Sequence, residues 1–259
     1  MNRRKFVSTS MTTIASTVAL ASAGNLFAAD TNIINSPSTN PHLTGSVSHS
    51  VSTGEYSFTR LRYSSGNWDA DPKMPSNLLN SLVEYTSIRV DTDEKIVEAA
   101  SSAIMDHPFL YLTGNKLVRF SASEKRNLRQ YLRRGGFLFV DDCNHDVDGT
   151  FAKTFEAEVG SILDRPEERL RKISNTHPIY NSFFSFPDGP PQTSHELNGW
   201  GDDVVHDYLQ AAEIDGRIAV LYSNKDYGCE WNYDWTNKRF STVDNTRFGV
   251  NIIVYALTH

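Results

Sequence analysis

The chain has 259 residues, with 25 Lys and Arg against 31 Asp and Glu, 8 His and 2 Cys. A hydrophobic fraction of 39% with 11% aromatics can fill a core and excludes global disorder. No apolar run reaches the ~18 residues of a spanning helix, two cysteines exclude a disulfide-dense scaffold, and a net charge of −6 excludes a general nucleic-acid binder.

The N-terminus reads as an address. Arg3, Arg4 and Lys5 precede a weakly apolar stretch from Met11 to Ala23, and small residues at Ala21 and Ala23 follow. That order predicts a twin-arginine signal peptide over 1–29, cleaved after Ala23, Ala28 or Ala29, and hence a periplasmic protein without a membrane span in its mature form. Removal of 1–29 leaves 22 basic against 31 acidic residues, a net charge of −9. Residues 30–55 are rich in Ser, Thr, Asn and Pro, which predicts a flexible polar segment. One α/β domain is expected over 56–259.

Within that domain, alternation over Tyr56–Tyr63 predicts a strand, and Leu78, Leu79, Leu82 and Val83 predict a helix over Pro75–Tyr85. A short strand is expected over Ile88–Asp91 and a helix over Lys95–Met105, with Ile96, Ala99, Ala100 and Ala103 on one face. Phe109–Gly114 is a continuous apolar run and reads as a buried strand. Ser121 and Glu124 form a capping box ahead of a helix that exits at Gly135-Gly136, and Phe137–Val140 is a second buried strand ending in Asp141-Asp142. Strand, helix and strand on buried runs describe a βαβ unit and a mostly parallel sheet. A helix follows over Phe151–Leu163. The region from Arg165 to His206 is expected to include loops over one end of the sheet. Leu209–Ile214 and Ile218–Tyr222 flank Asp215-Gly216 as a hairpin, and Arg247–Leu257 closes the chain as a helix.

The densest polar run, Asp141-Asp142-Cys143-Asn144-His145-Asp146-Val147-Asp148-Gly149, follows a parallel strand, where open α/β sheets bind ligands. It reads either as a site or as a solvated acidic loop. Asp141, Asp142, Cys143 and His145 are catalytic candidates, and Asp142, His145, Asp146 and Asp148 are metal candidates. Asn144-x-Asp146-x-Asp148-Gly149 partly matches a calcium loop, but its twelfth position is Phe155, with Glu156 one residue late. Trp68, Trp231, Tyr233 and Trp235 lie beside Asp69, Asp71, Glu230 and Asp234, a pattern that suits either saccharide stacking or aromatic packing beneath loops. His195 and His206 are lone histidines and carry little information. Cys229 follows the strand over Ile218–Tyr222; if that strand is parallel to Phe137–Val140, Cys143 and Cys229 share one sheet edge. A disulfide, two free thiols and two ligands of one metal are then all open. A disulfide would close an 86-residue loop worth roughly 4.5 kcal/mol.

Several strings together carry a resemblance: Phe58-Thr-Arg-Leu-Arg-Tyr63, His107-Pro-Phe-Leu-Tyr-Leu-Thr-Gly114, Gly135-Gly-Phe-Leu-Phe-Val-Asp-Asp-Cys143, Asp226-x-Gly228-Cys229-x-Trp231 and Gly249-Val-Asn-Ile-Ile-Val-Tyr-Ala-Leu257. In this order they resemble the domain-of-unknown-function family numbered 4159. The resemblance implies a three-layer, flavodoxin-like, class I glutamine amidotransferase-like sandwich with a mostly parallel sheet. Catalytic amidotransferases carry a Gly-x-Cys-x-Gly elbow after the central strand. Here Asp141 stands where that Cys is expected and Cys143 comes two residues late, so glutaminase activity does not carry over. The resemblance therefore implies a place for a site, with Asp141, Asp142, Cys143, Asp226, Cys229 and Trp231 as its members.

Three functions follow as expectations. The first is an exported protein that binds a small molecule or saccharide at the strand-end edge through Trp68, Asp141, Asp142, Asp226 and Trp231. The second is a metal-dependent hydrolase built on Asp141, Asp142, Cys143 and His145. The third is an envelope interaction protein that docks a protein partner on an acidic face. No cofactor is implied.

Overall fold

The computed structural model describes residues 54–143, 149–198, 205–233 and 241–259. The signal segment, nearly all of the polar stretch over 30–55, and the candidates His145, Asp146, Asp148 and Trp235 lie outside the described residues. Seven strands form one sheet: β1 (Tyr56–Arg62), β2 (Val90–Glu98), β3 (Phe109–Gly114), β4 (Phe137–Asp142), β5 (Arg171–Lys172), β6 (Gln210–Ile214) and β7 (Arg217–Ser223). Their order is β2-β1-β3-β4-β7-β6-β5. The pairs β1–β2, β1–β3, β3–β4 and β4–β7 are parallel, and β6 and β5 are added antiparallel at one side.

The described helices are α1 (Met74–Tyr85), α2 (Ala122–Arg133), α3 (Thr150–Ile162), α4 (Ser194–Asn198), α5 (Tyr227–Trp231) and α6 (Thr242–Thr258). The pleat divides the core into two halves. Phe58, Tyr111, Phe137 and Phe139 face α1, α5 and α6. Leu61, Leu110, Leu112, Leu138 and Val140 face α2 and α3. Strands buried on both faces explain the unbroken apolar runs of β3 and β4.

Local chemistry sets several boundaries. Ser121 Oγ accepts from Glu124 N, and the Glu124 carboxylate accepts from Ser121 N at 2.6 Å, so the capping box that opens α2 is complete. Asp215 and Gly216 both have positive φ (52° and 81°), the geometry of a two-residue hairpin turn between β6 and β7.

One expectation is corrected. Lys95–Met105 is not a helix: β2 runs on to Glu98, and a 3-10 turn covers Ser102–Asp106. Pairing of Lys95, Ile96 and Val97 with Thr59, Arg60 and Leu61 overrides the helical spacing. Val97 is buried and Ile96 is exposed, the two-residue alternation of a strand. The region after Arg165 does include a segment at one end of the sheet, though not all of its described residues lie there. Asn251 of α6 bonds the backbone of Ile179 and Phe184, which lays residues 179–184 on α6. The short helix α4 does reach the carboxyl edge.

Candidate functional site

The carboxyl ends of β1, β3, β4 and β7 point the same way, so the segments that follow them meet at one edge. Each brings a side chain for a stated reason. After β1 the chain loops over the edge to α1, and the buried Arg60 clamps that loop. Its guanidinium donates to the carbonyls of Ala70 (2.6 Å), Asp71 (3.3 Å) and Trp68 (3.4 Å) and pairs with the Glu94 carboxylate. Asp71 is thereby held at φ 58°.

β4 delivers Asp141, Asp142 and then Cys143. The pleat sends the two aspartates to opposite faces. Asp142 accepts from Tyr222 Oη at 3.2 Å, among the residues facing α3. Asp141 accepts from Gly228 N at 2.6 Å, so it ties the start of α5 to the sheet. Burial, and after it the charge of Asp226, pushes the Asp141 carboxyl well above the usual carboxylate range. Its Oδ1 is buried without a hydrogen-bond partner. The two adjacent carboxylates therefore have separate jobs.

After β7, Asp226 takes φ 56° and caps α5, its Oδ1 accepting from Cys229 N at 3.3 Å. Its Oδ2 is fully buried and accepts no hydrogen bond; His195 Nε2 stands 3.7 Å away on α4. α4 is pinned beside it. Glu230 accepts from Ser194 N and Oγ, and the buried Lys225 donates to Glu196 Oε1 at 2.6 Å and to the His206 carbonyl.

These segments gather Asp71, Cys143, Asp226 and Cys229 so that one donor atom from each lies within 4.8 Å of the others. Asp71 sits between the sulfurs, with Oδ2 3.9 Å from Cys143 Sγ and Oδ1 3.7 Å from Cys229 Sγ. Both thiols are free; Cys143 is buried and Cys229 is partly exposed. The Cys229 thiol is pushed far above its ordinary range, first by its contact with Cys143, then by burial, then by Asp226 and Asp71. Gly228 is required by close approach: a Cβ there would stand 2.7 Å from Asp71 Oδ2 and 2.8 Å from Tyr111 Oη.

Of the residues expected from sequence, Asp141, Cys143, Asp226 and Cys229 converge. Trp231 does not offer a stacking face. It is 1% exposed, packs on Phe139 and Tyr227, and donates Nε1–H to the Asn245 carbonyl at 2.8 Å. Trp68 is half-buried, with the Arg62 guanidinium 5.4 Å over its ring. Phe155, at the twelfth position of the calcium-loop match, is a core residue between Phe151 and Tyr222. Asp71 drew attention only as a neighbour of Trp68, since nothing local says that its loop folds back over the strand ends. His195 was a lone histidine until α4 brought it to Asp226.

A mostly parallel α/β sheet covered by helices on both faces, with a buried thiol–carboxylate cluster at its carboxyl edge, defines an α/β domain with a candidate site at its strand ends. The sequence profile of the family described as "Domain of unknown function (DUF4159)" matches residues 57–257, and the chain belongs to that family. No curated protein matches the sequence.

Proposed function

We propose that this is a periplasmic protein, exported by the twin-arginine route, that binds a ligand at the carboxyl edge of an amidotransferase-like sheet without amidotransferase chemistry. The observation that carries this reading is backbone strain at the cluster. Asp71, Asp215 and Asp226 are the non-glycine residues with positive φ among the described residues; Asp215 makes the hairpin turn, and the other two point carboxylates into one buried cluster. Such conformations cost roughly 1–3 kcal/mol each and concentrate at functional sites. The order β2-β1-β3-β4-β7 supports a flavodoxin-like scaffold, because it is the doubly-wound order whose ligands sit beyond the carboxyl ends of the strands. Asp141, occupied in holding α5, supports the absence of a nucleophile elbow at its position. Export is supported by the basic head, apolar middle and small-residue end of the first 29 residues.

Two experiments test the reading. Fractionation should find the parent chain in the periplasm and an Arg3→Lys, Arg4→Lys double variant retained inside; equal export of both refutes the route. In metal-free protein, Asp226→Asn keeps the cap and tolerates φ 56° while removing one charge from a crowded site, so it should raise Tm. It should also abolish stabilisation by whichever divalent ions or saccharides protect the parent in a thermal screen. A loss of about 3–5 kcal/mol in the variant, as for breaking a buried structural ion pair, would assign Asp226 to the scaffold instead.

A further inference from the structure

Asp71 is 8% exposed and Asp226 is 0%, and both stand in one cluster with two thiols. Nothing in a purely structural loop calls for this combination of donors. We propose that the cluster is a transition-metal site of the zinc class, with one donor atom from each of Asp71, Cys143, Asp226 and Cys229. The proposal rests on reading the carboxyl edge as the functional site, and it names the chemical class of ligand held there.

The geometry is close to what an ion requires. Metal–sulfur bonds of about 2.3 Å and metal–oxygen bonds of about 2.0–2.2 Å put tetrahedral donors roughly 3.4–3.8 Å apart. At Asp71, Oδ1 lies 3.7 Å from Cys229 Sγ and Oδ2 lies 3.9 Å from Cys143 Sγ, and one donor atom from each of the four residues already lies within 4.8 Å of the others. Contraction by roughly 1.4 Å at most completes a tetrahedron.

The donor set selects the metal. Two thiolates favour zinc and its soft neighbours over calcium and magnesium, which take oxygen ligands in larger number. Asp226 Oδ2 is fully buried and has no hydrogen-bond partner. Asp226 Oδ1 is spent on Cys229 N, so the other oxygen is left for an ion. His195, 3.7 Å behind Asp226 Oδ2, is a positioning residue of the outer shell, of the kind that orients a ligating carboxylate. Binding balances simply: one divalent ion enters, two thiols become thiolates, and two protons leave to solvent.

The test uses the full chain as exported, purified without chelator, then reduced and titrated with Co²⁺ and Zn²⁺. The expected result is one ion per chain, a thiolate-to-cobalt charge-transfer band, and protection of both thiols from alkylation by Zn²⁺. His195→Ala should weaken binding roughly 10–100-fold. Cys143→Ser and Cys229→Ser should each weaken it further and reduce the charge-transfer band. Reduced parent protein that binds neither ion overturns the proposal. If it binds neither ion but Asp226→Asn still abolishes stabilisation by a saccharide, the metal assignment falls and the strand-end site stands. If neither effect appears, both fall.

Discussion

Gly228→Ala is the sharpest probe of how the site is packed. The added Cβ would lie 2.7 Å from Asp71 Oδ2, 2.8 Å from Tyr111 Oη and 3.4 Å from Asp141 Oδ2. The first two are inside any carbon–oxygen contact that a packed interior accepts, and neither neighbour retreats cheaply. Tyr111 is fully buried on β3, and Asp71 is held by a loop whose carbonyls Arg60 clamps. Overpacking of this kind costs about 1–3 kcal/mol. For a domain of this size each kcal/mol moves Tm by roughly 2–4 °C, so a cost near 2 kcal/mol lowers it by roughly 4–8 °C. Gly160→Ala supplies the control. A Cβ there meets nothing within 4 Å on helix α3, so the same chemical change should stabilise by about 0.5–1 kcal/mol. Scanning calorimetry and urea unfolding on both variants would measure the two shifts. A Gly228→Ala protein as stable as the parent, or two variants that move in the same direction, would refute the close packing of Asp71, Tyr111 and Asp141 around residue 228.

Other outcomes follow from the same contacts. Because the folded-state pKa of Asp141 is raised, its stabilising contribution is complete below the ordinary value of 3.8 and is lost as pH rises above it. The stability of the parent minus that of Asp141→Asn should therefore be largest near pH 4 and shrink toward pH 8, and a difference that is flat in urea titrations would contradict a neutral Asp141. Arg60→Ala removes the buried clamp on the loop that carries Asp71 and leaves Glu94 unpaired, at a cost of about 3–5 kcal/mol. Arg60→Lys should rescue little of it, since one ammonium cannot reproduce the planar fork; full rescue in denaturant unfolding would refute the clamp. Ser121→Ala opens the capping box of α2 and should cost about 1 kcal/mol by the same assay, while a silent change would show that Glu124 suffices alone.

Much of the scaffold was legible because its signals are local. A capping box spans four residues, a hairpin turn two, and a buried strand is an unbroken apolar run, so α2, β3, β4 and the β6–β7 turn could be read directly. The failure at Lys95–Met105 has the opposite cause. Ile96, Ala99, Ala100 and Ala103 fit a helix face locally, and only pairing with β1, more than 30 residues earlier, makes a strand of Lys95–Val97. For Trp231 the sequence left stacking and packing both open, because an aromatic beside acids looks alike whether its ring faces a ligand or Phe139.

By itself, then, the sequence determined the class of the domain, the position of β4, and the two cysteines as markers of strand ends. Tertiary structure decided what stands between those cysteines. The order β2-β1-β3-β4-β7 sets the carboxyl end of β1 close to those of β4 and β7, which brings Asp71 to a cysteine 72 residues later and to another 158 residues later. It also splits Asp141 from Asp142, since the pleat turns neighbours on one strand to opposite faces. Hydrophobic period and capping are written within a few residues. The meeting of two carboxylates and two thiols depends on which strands lie side by side, and that is settled only when the whole sheet buries its two faces.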